Sequence, residues 1–327
     1  MPADRPLSIT VLINNYNYAA FLARSIESAL SQTWRRVQII VVDDGSTDSS
    51  AEVAQRYSAP NYLFLRKQNG GQNSAIAHAL PYVEGDYTII LDADDWLVPH
   101  ACETVAKAAA RTTPNAVMYR LAMIDANGRA VGVFPNEPFQ TADLSKFVLL
   151  HGYVPSPPTS GNAYRTDFLR SAFQFVSASS SFCDGYLSWA AASTDAVVSL
   201  QAVLGCYGVH GGNVSTSGGC DRARLYNNNN YALDHARHLY AWLDARQVSP
   251  TSWHDLISAY GWRNILYFKL VDRAYPEFSW TLCRRQGTAK FWRARHHGAW
   301  KQIKNILFIV AGCELGEVRD LIQRLRP

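Results

Sequence analysis

Four times in the first 125 residues, a short apolar run rich in β-branched residues gives way to a segment whose apolar residues recur at helical spacing. This alternation constrains the fold more than any other feature. The runs Leu7–Ile13 and Val37–Asp43 have the composition of strands buried on both faces of a parallel sheet. Between them Phe21, Leu22, Ile26, Ala29 and Leu30 mark a helix. A second helix is expected from about Ser49 to Tyr57, where Ser49 and Glu52 have capping-box spacing. A strand at Leu63–Leu65, a helix at Asn73–Leu80, a strand at Tyr87–Leu91, a helix at His100–Arg111 and a strand at Ala116–Met123 complete the series. Strand and helix in strict succession imply βαβ units in an α/β sheet over residues 1–125.

From Asp125 the pattern changes. Asn127-Gly128 and the prolines 155, 157 and 158 punctuate the chain, so residues 126–220 are expected to form an irregular second half that completes a cleft. Residues 221–327 follow a Gly/Ser/Asn stretch and read as mainly helical, closing with an apolar face of Leu315, Val318, Ile322 and Leu325. Net charge is +4, yet residues 283–327 carry ten Lys/Arg against three Asp/Glu, which leaves the first 282 residues at −3. Six cysteines without a Cys-x-x-Cys pair suggest neither a zinc site nor a disulfide framework, and a reducing cytosol is the expected setting. The first residues lack the pattern of a secretory leader, and no stretch approaches the roughly 20 apolar residues of a spanning helix.

Two strands run into acids. Val42-Asp43-Asp44-Gly45-Ser46-Thr47-Asp48 places carboxylates at the carboxyl end of a parallel strand, where open α/β sheets bind ligands. A polar turn capped by Asp48 or Ser49 is the competing explanation, and it accounts for Asp48 better than for Asp44. An ionised Asp44 can accept the ring N–H of a uracil or its analogue. Ile89-Ile90-Leu91-Asp92-Ala93-Asp94-Asp95 ends in three acids within four residues. Close carboxylates repel unless a cation joins them, and hard oxygen ligands suit Mn²⁺ or Mg²⁺ while leaving positions free for a diphosphate. A helix cap would need only one of the three.

With these motifs the sequence resembles the family 2 glycosyltransferases, which share the GT-A fold, a Rossmann-like, mostly parallel sheet with flanking helices. The resemblance covers about residues 7–216. Tyr16-Asn17, then Ser28 to Gln32 as Ser-x-x-x-Gln, then the Asp-Asp-Gly-Ser-x-Asp run, then Asn69-Gly70-Gly71, Gly85-Asp86-Tyr87 and Asp-Ala-Asp-Asp follow the family order. It implies that Asn14, Tyr16, Asp43, Asp44, Arg66, Lys67 and Asn73 serve the nucleotide side of a donor, and that Asp92 and Ala93 lie near the ribose. It further implies that Asp94 binds a divalent metal, with Asp95 behind it or as a further ligand.

The base that deprotonates the acceptor comes, in the family, from an acid opening a helix in the second half. Cys183-Asp184-Gly185-Tyr186 resembles that segment and makes Asp184 the candidate; an ordinary N-cap is the alternative. The stretch Tyr207-Gly208-Val209-His210 resembles the family's Tyr-Arg-x-His, with Gly208 where Arg is usual, and makes His210 a candidate for the metal or diphosphate. Gly161, Asn162 and Trp189 are the acceptor-side candidates. The chain lacks Gln-x-x-Arg-Trp, the mark of processive synthases, and a Gly-x-Gly-x-x-Gly after the first strand, the mark of dinucleotide enzymes. The expected function is therefore single addition of a sugar, with inversion, from a UDP-sugar or similar donor to a glycan or glycolipid acceptor in bacterial-type surface polysaccharide or glycolipid assembly. A non-catalytic nucleotide-sugar-binding protein of the same fold is the alternative. No nucleic-acid partner is expected. The basic tail, from Arg284 to Lys304 with Trp292 and Trp300, is expected either to pack on the rest of the chain or to touch an anionic membrane surface.

Overall fold

The structure, a computed structural model, describes residues 5–136, 156–176, 183–194 and 197–210, with the pieces 138–139, 144, 238–239 and 241–247. The chain divides into two compact units, residues 1–217 and 218–327. The sheet lies in the first. The basic tail and the apolar face from Leu315 to Leu325 lie outside the described residues.

Four parallel strands, β1 (Ile9–Asn15), β2 (Val37–Asp43), β3 (Tyr62–Arg66) and β4 (Tyr87–Asp92), pair in the order β3-β2-β1-β4. Their apolar residues are buried on both faces, as the continuous runs require. Ile9, Val11, Ile13, Ile39, Val41, Ile89 and Leu91 join one core with Leu22, Ile26 and Ala29 of helix α1 (Ala19–Leu30) and with helix α4 (Ala101–Thr112). Leu12, Ile40 and Ile90, in register with one another, are equally buried on the opposite face. Each such side chain contributes about 1.5–3 kcal/mol on leaving water.

Element limits move where backbone groups find other partners. β1 starts at Ile9, not Leu7, because the Leu7 carbonyl accepts from the Trp34 indole (2.8 Å) and the Ser8 N–H donates to Asp86 Oδ2 (2.7 Å). At its other end β1 runs on through Asn14 and Asn15, paired with Asp92 and Asp43. Helix α2 (Ser50–Gln55) makes no capping box, since the Ser49 side chain gives no cap bond. Asp48 does that work, accepting from Ser50 N and from Ala19 N (both 3.0 Å), and so caps α2 and the start of α1 together. Helix α3 (Gln72–Ala79) packs on β1 and β2.

The strand expected to extend the alternation, β6 (Ala116–Asp125), is not next to β4. A later strand, β8 (Asn162–Arg165), inserts between them, antiparallel to both. β8 and then β7 (Ala130–Phe134) take one edge of β6 in succession, and the long β9 (Val197–Val209) takes the other, parallel to β6 and antiparallel to the two-residue β5 (Trp96–Leu97). The second half is thus more regular than its turn signals suggest: β8, helix α5 (Thr166–Phe173), helix α6 (Asp184–Ala192) and β9 all contribute. Gly205 and Gly208 conceal β9 in the sequence, because glycine lowers the strand signal where another backbone approaches closely.

Candidate active site

The first acid loop is held by its own motif. Asn15 Nδ2 donates to Asp43 Oδ1 (3.0 Å) and to Ser46 Oγ (3.1 Å), and the Asn17 N–H donates to Ser46 Oγ (2.9 Å). Asn17 adopts φ 58°, which brings its Oδ1 within reach of the Thr47 N–H (2.8 Å). Asn is among the few residues that visit this region at low cost. Gly45 has φ 75°, and a Cβ there would stand 2.7 Å from Asn69 N, so only glycine lets the 67–71 loop lie against the turn. Tyr16, at the tip of this turn, is exposed.

Asp43 is fully buried and paired with Arg66 Nε (3.1 Å), whose NH2 also donates to the Ser46 carbonyl (3.1 Å). Asp44 accepts from Lys67 Nζ (2.6 Å), Gly70 N (3.1 Å) and Gly71 N (2.7 Å). Asp43, Asp44, Arg66 and Lys67 therefore meet at one place, with Asp44 shaping the glycine loop that precedes α3, whereas Asn14, also expected at the base, bonds Asp92 instead.

The second acid motif gathers residues from across the chain. Asp92 Oδ1 accepts from Asn14 Nδ2 (2.9 Å) and Gln72 Nε2 (2.7 Å), while its N–H donates to Ser160 Oγ (3.1 Å). Burial and then the Asp94 charge push Asp92 up to about 7; the Asn14 and Gln72 bonds oppose this, and the Asp184 charge adds to it. Asp184 is thus brought close enough to Asp92 to act on it, although 92 residues separate them in sequence. It opens α6, and its Oδ1 also accepts from the Gly185 N–H (2.8 Å).

Asp94 Oδ2 lies 3.0 Å from His210 Nε2. Asp95 turns the other way: it is buried, and its Oδ1 accepts from the Gly208 N–H at 2.9 Å. Burial and then the charges of Asp92 and Asp94 hold the Asp95 carboxyl well above the usual range. A Cβ at position 208 would stand 2.5 Å from the Asp94 carbonyl, which gives glycine a reason to occupy the place where the family pattern has Arg. Asp95 and Gly208 together fasten β9 to the acid loop.

Asn73 and Ala93 are buried, and Gln72 is the α3 residue that reaches Asp92. Among the acceptor-side candidates, Asn162 is buried and donates to the Pro158 carbonyl (2.9 Å), Gly161 ends the 3-10 turn Thr159–Gly161, and Trp189 is half-buried on α6. The sequence reading passed over Gln72, Ser160 and Tyr18. Burial and then the charges of Asp94 and Asp92 push the Tyr18 phenol up to about 12, which places it beside the acids. Its neighbour Tyr16 carried the motif and drew attention away from it. Ser160 adjoins Gly161 and Asn162, so the signal for it was present one residue away.

Residues 10–156 match the description Glycosyl transferase family 2. That segment is a family 2 glycosyltransferase domain. An uncharacterized glycosyltransferase of Nostoc sp. is 33% identical over 213 residues, covering 63% of this chain and 66% of that protein. The glycosyltransferase GlyA of Streptococcus pneumoniae is 34% identical over 101 residues, 30% of this chain and 14% of GlyA. The chain therefore spans less than two thirds of these relatives. Among solved structures, Staphylococcus aureus TarS in complex with UDP-GlcNAc superposes with a TM-score of 0.60 at 16% identity, over 93% of this chain and 91% of that one. The mannosyltransferase PcManGT of Pyrobaculum calidifontis, in complex with GDP-Man and Mn²⁺, gives 0.51 at 14% identity over 98% and 84%. These likenesses establish the GT-A fold.

The donor set at the acid loop fits a divalent cation. Two cis ligands of an octahedral ion at about 2.1 Å stand about 3.0 Å apart, and Asp94 Oδ2 and His210 Nε2 are separated by 3.0 Å. One carboxylate and one imidazole suit Mn²⁺, and would leave positions for a diphosphate and water. Among the described residues no three His, Cys, Asp or Glu side chains form a ready-made cage, so the protein's share is a partial one. Among the same residues no helix is long and apolar enough to cross a membrane.

Proposed function

We propose that this chain moves single sugars from a nucleoside-diphosphate sugar, with UDP favoured, to the hydroxyl of a glycan or glycolipid acceptor, with inversion and with Mn²⁺ or Mg²⁺ bound. The observation that carries this reading is the convergence of Asp92, Asp94, Asp184 and His210 beyond the carboxyl ends of parallel strands. A pure binding protein has no need of a further acid near enough for its charge to act on Asp92. The UDP-GlcNAc bound by TarS and the GDP-Man and Mn²⁺ bound by PcManGT support the donor class, the hexosyl group and the metal.

In this reading the loop ordered by Asp44, Arg66 and Lys67 receives the base, and Asn14, Gln72 and Asp92 receive the ribose. Asp94 and His210 would hold the cation, whose charge offsets that growing on the diphosphate as it leaves. Asp184 takes the proton of the acceptor hydroxyl as its oxygen bonds to the anomeric carbon. The bond from that carbon to the diphosphate breaks on the opposite face, which gives inversion. The surplus of basic residues after Cys283 would bring the enzyme to an anionic inner membrane surface, each contributing about 1 kcal/mol. Liposome recovery that ignores anionic lipid and salt alike would remove this last element. The main test supplies UDP-, GDP- and dTDP-sugars with Mn²⁺ and analyses the products. Free nucleoside diphosphate is expected from one of them; pyrophosphate, or no product from any, would defeat the proposal.

A further inference from the structure

The first turn of α1 presents two aromatic rings to His210. Phe21 stacks on the imidazole with ring centres 4.5 Å apart and planes 17° apart, and Tyr18 meets it edge-on at 5.9 Å. The rings of Tyr18 and Phe21 are themselves 5.8 Å apart. This turn is firmly placed: the Tyr18 carbonyl accepts from the N–H groups of Phe21 (2.9 Å) and Leu22 (3.0 Å), and the Ala19 N–H donates to Asp48 Oδ2 (3.0 Å). His210, by contrast, stands one residue beyond the last paired position of β9, so the ladder does not fix its ring.

We infer that Phe21 is a positioning residue, setting the plane of the His210 ring so that Nε2 faces Asp94 Oδ2 at the spacing one divalent cation requires. The inference rests on the reading of Asp94 and His210 as metal ligands and adds the element that aims the second of them. Other rotamers of the His210 imidazole would carry Nε2 away from Asp94 Oδ2, which it meets at 3.0 Å. A flat ring beneath it removes most of them before the ion arrives, which is how residues behind a ligand raise metal affinity. Offset stacking of two rings adds to simple burial, and an aliphatic side chain of similar volume cannot supply it. The Asp48 bonds to both α1 and α2 give the clamp its footing. The same contacts that order the first acid loop thereby reach the metal ligands.

The test titrates Mn²⁺ alone against the full chain, following loss of the free-ion signal by electron paramagnetic resonance. Phe21→Leu is expected to weaken Mn²⁺ binding about 10-fold, the lower end of the effect of disturbing a residue behind a metal ligand, with a cooperative unfolding transition retained in EDTA. Phe21→Tyr, which keeps the ring, is expected to bind as the parent does. In a His210→Ala background Phe21→Leu should have no further effect, because a positioning residue without its ligand has nothing to position. Equal Mn²⁺ affinity for Phe21→Leu and the parent overturns the inference while leaving the metal reading intact, provided His210→Ala weakens binding. Unchanged affinity in His210→Ala removes both. An additive loss in the double variant shows Phe21 acting by some other route and also overturns it.

Discussion

The two halves of the catalytic unit build the site in opposite ways. In the parallel half, residues 9–92, the motif residues mostly bind one another: Asn15 with Asp43 and Ser46, Asn17 with Thr47, Asp44 with Lys67 and the glycine loop, Asn14 with Asp92. In the second half, residues 156–210, single residues are delivered to the acids by separate elements: Ser160 from a turn, Asp184 from a helix start, Gly208 and His210 from a strand end. One half is a self-ordered cradle, and in the proposed mechanism the other supplies the base and a metal ligand. Damage to the second half should therefore cost turnover with little loss of fold, and damage to the first should do the reverse.

Asp184→Asn should show the largest effect, a loss of about 10²–10⁴ in turnover, the scale of a general base. Donor affinity should barely change, because the base acts in the transition state and not on the nucleotide. If donor binding collapses as well, Asp184 belongs with the structural half and the contrast breaks. Asp94→Asn should lower transfer at least ~100-fold, and EDTA should abolish it, as removal of a main electrostatic stabiliser would. Full activity in excess chelator would contradict this.

Gly208→Ala is the informative exception, since its added carbon must displace the Asp94 carbonyl 2.5 Å away. A destabilisation of about 1–3 kcal/mol is expected, accompanied by weaker Mn²⁺ binding, measured by denaturant unfolding and metal titration. An unchanged midpoint would mean that β9 can lift off the acid loop freely. Asn17→Ala tests the other half at the smallest scale: about 1–2 kcal/mol of stability lost, from the Thr47 and Asp48 N–H groups left without their acceptor Asn17 Oδ1 and the φ that alanine resists. Its turnover per folded molecule should stay near that of the parent; a much larger loss of turnover would place Asn17 in the chemistry.

The same contrast explains what the sequence revealed. Asp43, Asp44 and Asp92 stand at the ends of β-branched runs, so the period of the pattern marked both strands and acids. The role of Asp48 was legible as a cap, although the neighbouring Ser49 drew the expectation. The insertion of β8 between β4 and β6 was not legible, because strand order depends on pairings such as Ile89 with Ala163, between segments far apart in the chain, that no local pattern records. β9 was hidden by Gly205 and Gly208, whose presence reflects close backbone approach and not a turn. Gln72 and Tyr18 were missed for a simpler reason: polar and aromatic residues at helix starts are common, and only the fold shows which of them face the acids.

The central claim is that residues from both halves close on one metal-assisted nucleotide site, and the thermal midpoint tests it most directly. UDP should raise the midpoint of the parent chain more with Mn²⁺ than with EDTA, because a ligand that binds only the native state stabilises it in proportion to its affinity. Asp94→Asn and His210→Ala, one from the acid loop that follows β4 and one from the second half, should each erase the metal-dependent part and leave the metal-free part in place. A shift that is the same with Mn²⁺ and with EDTA, or one that survives both substitutions, would contradict the account.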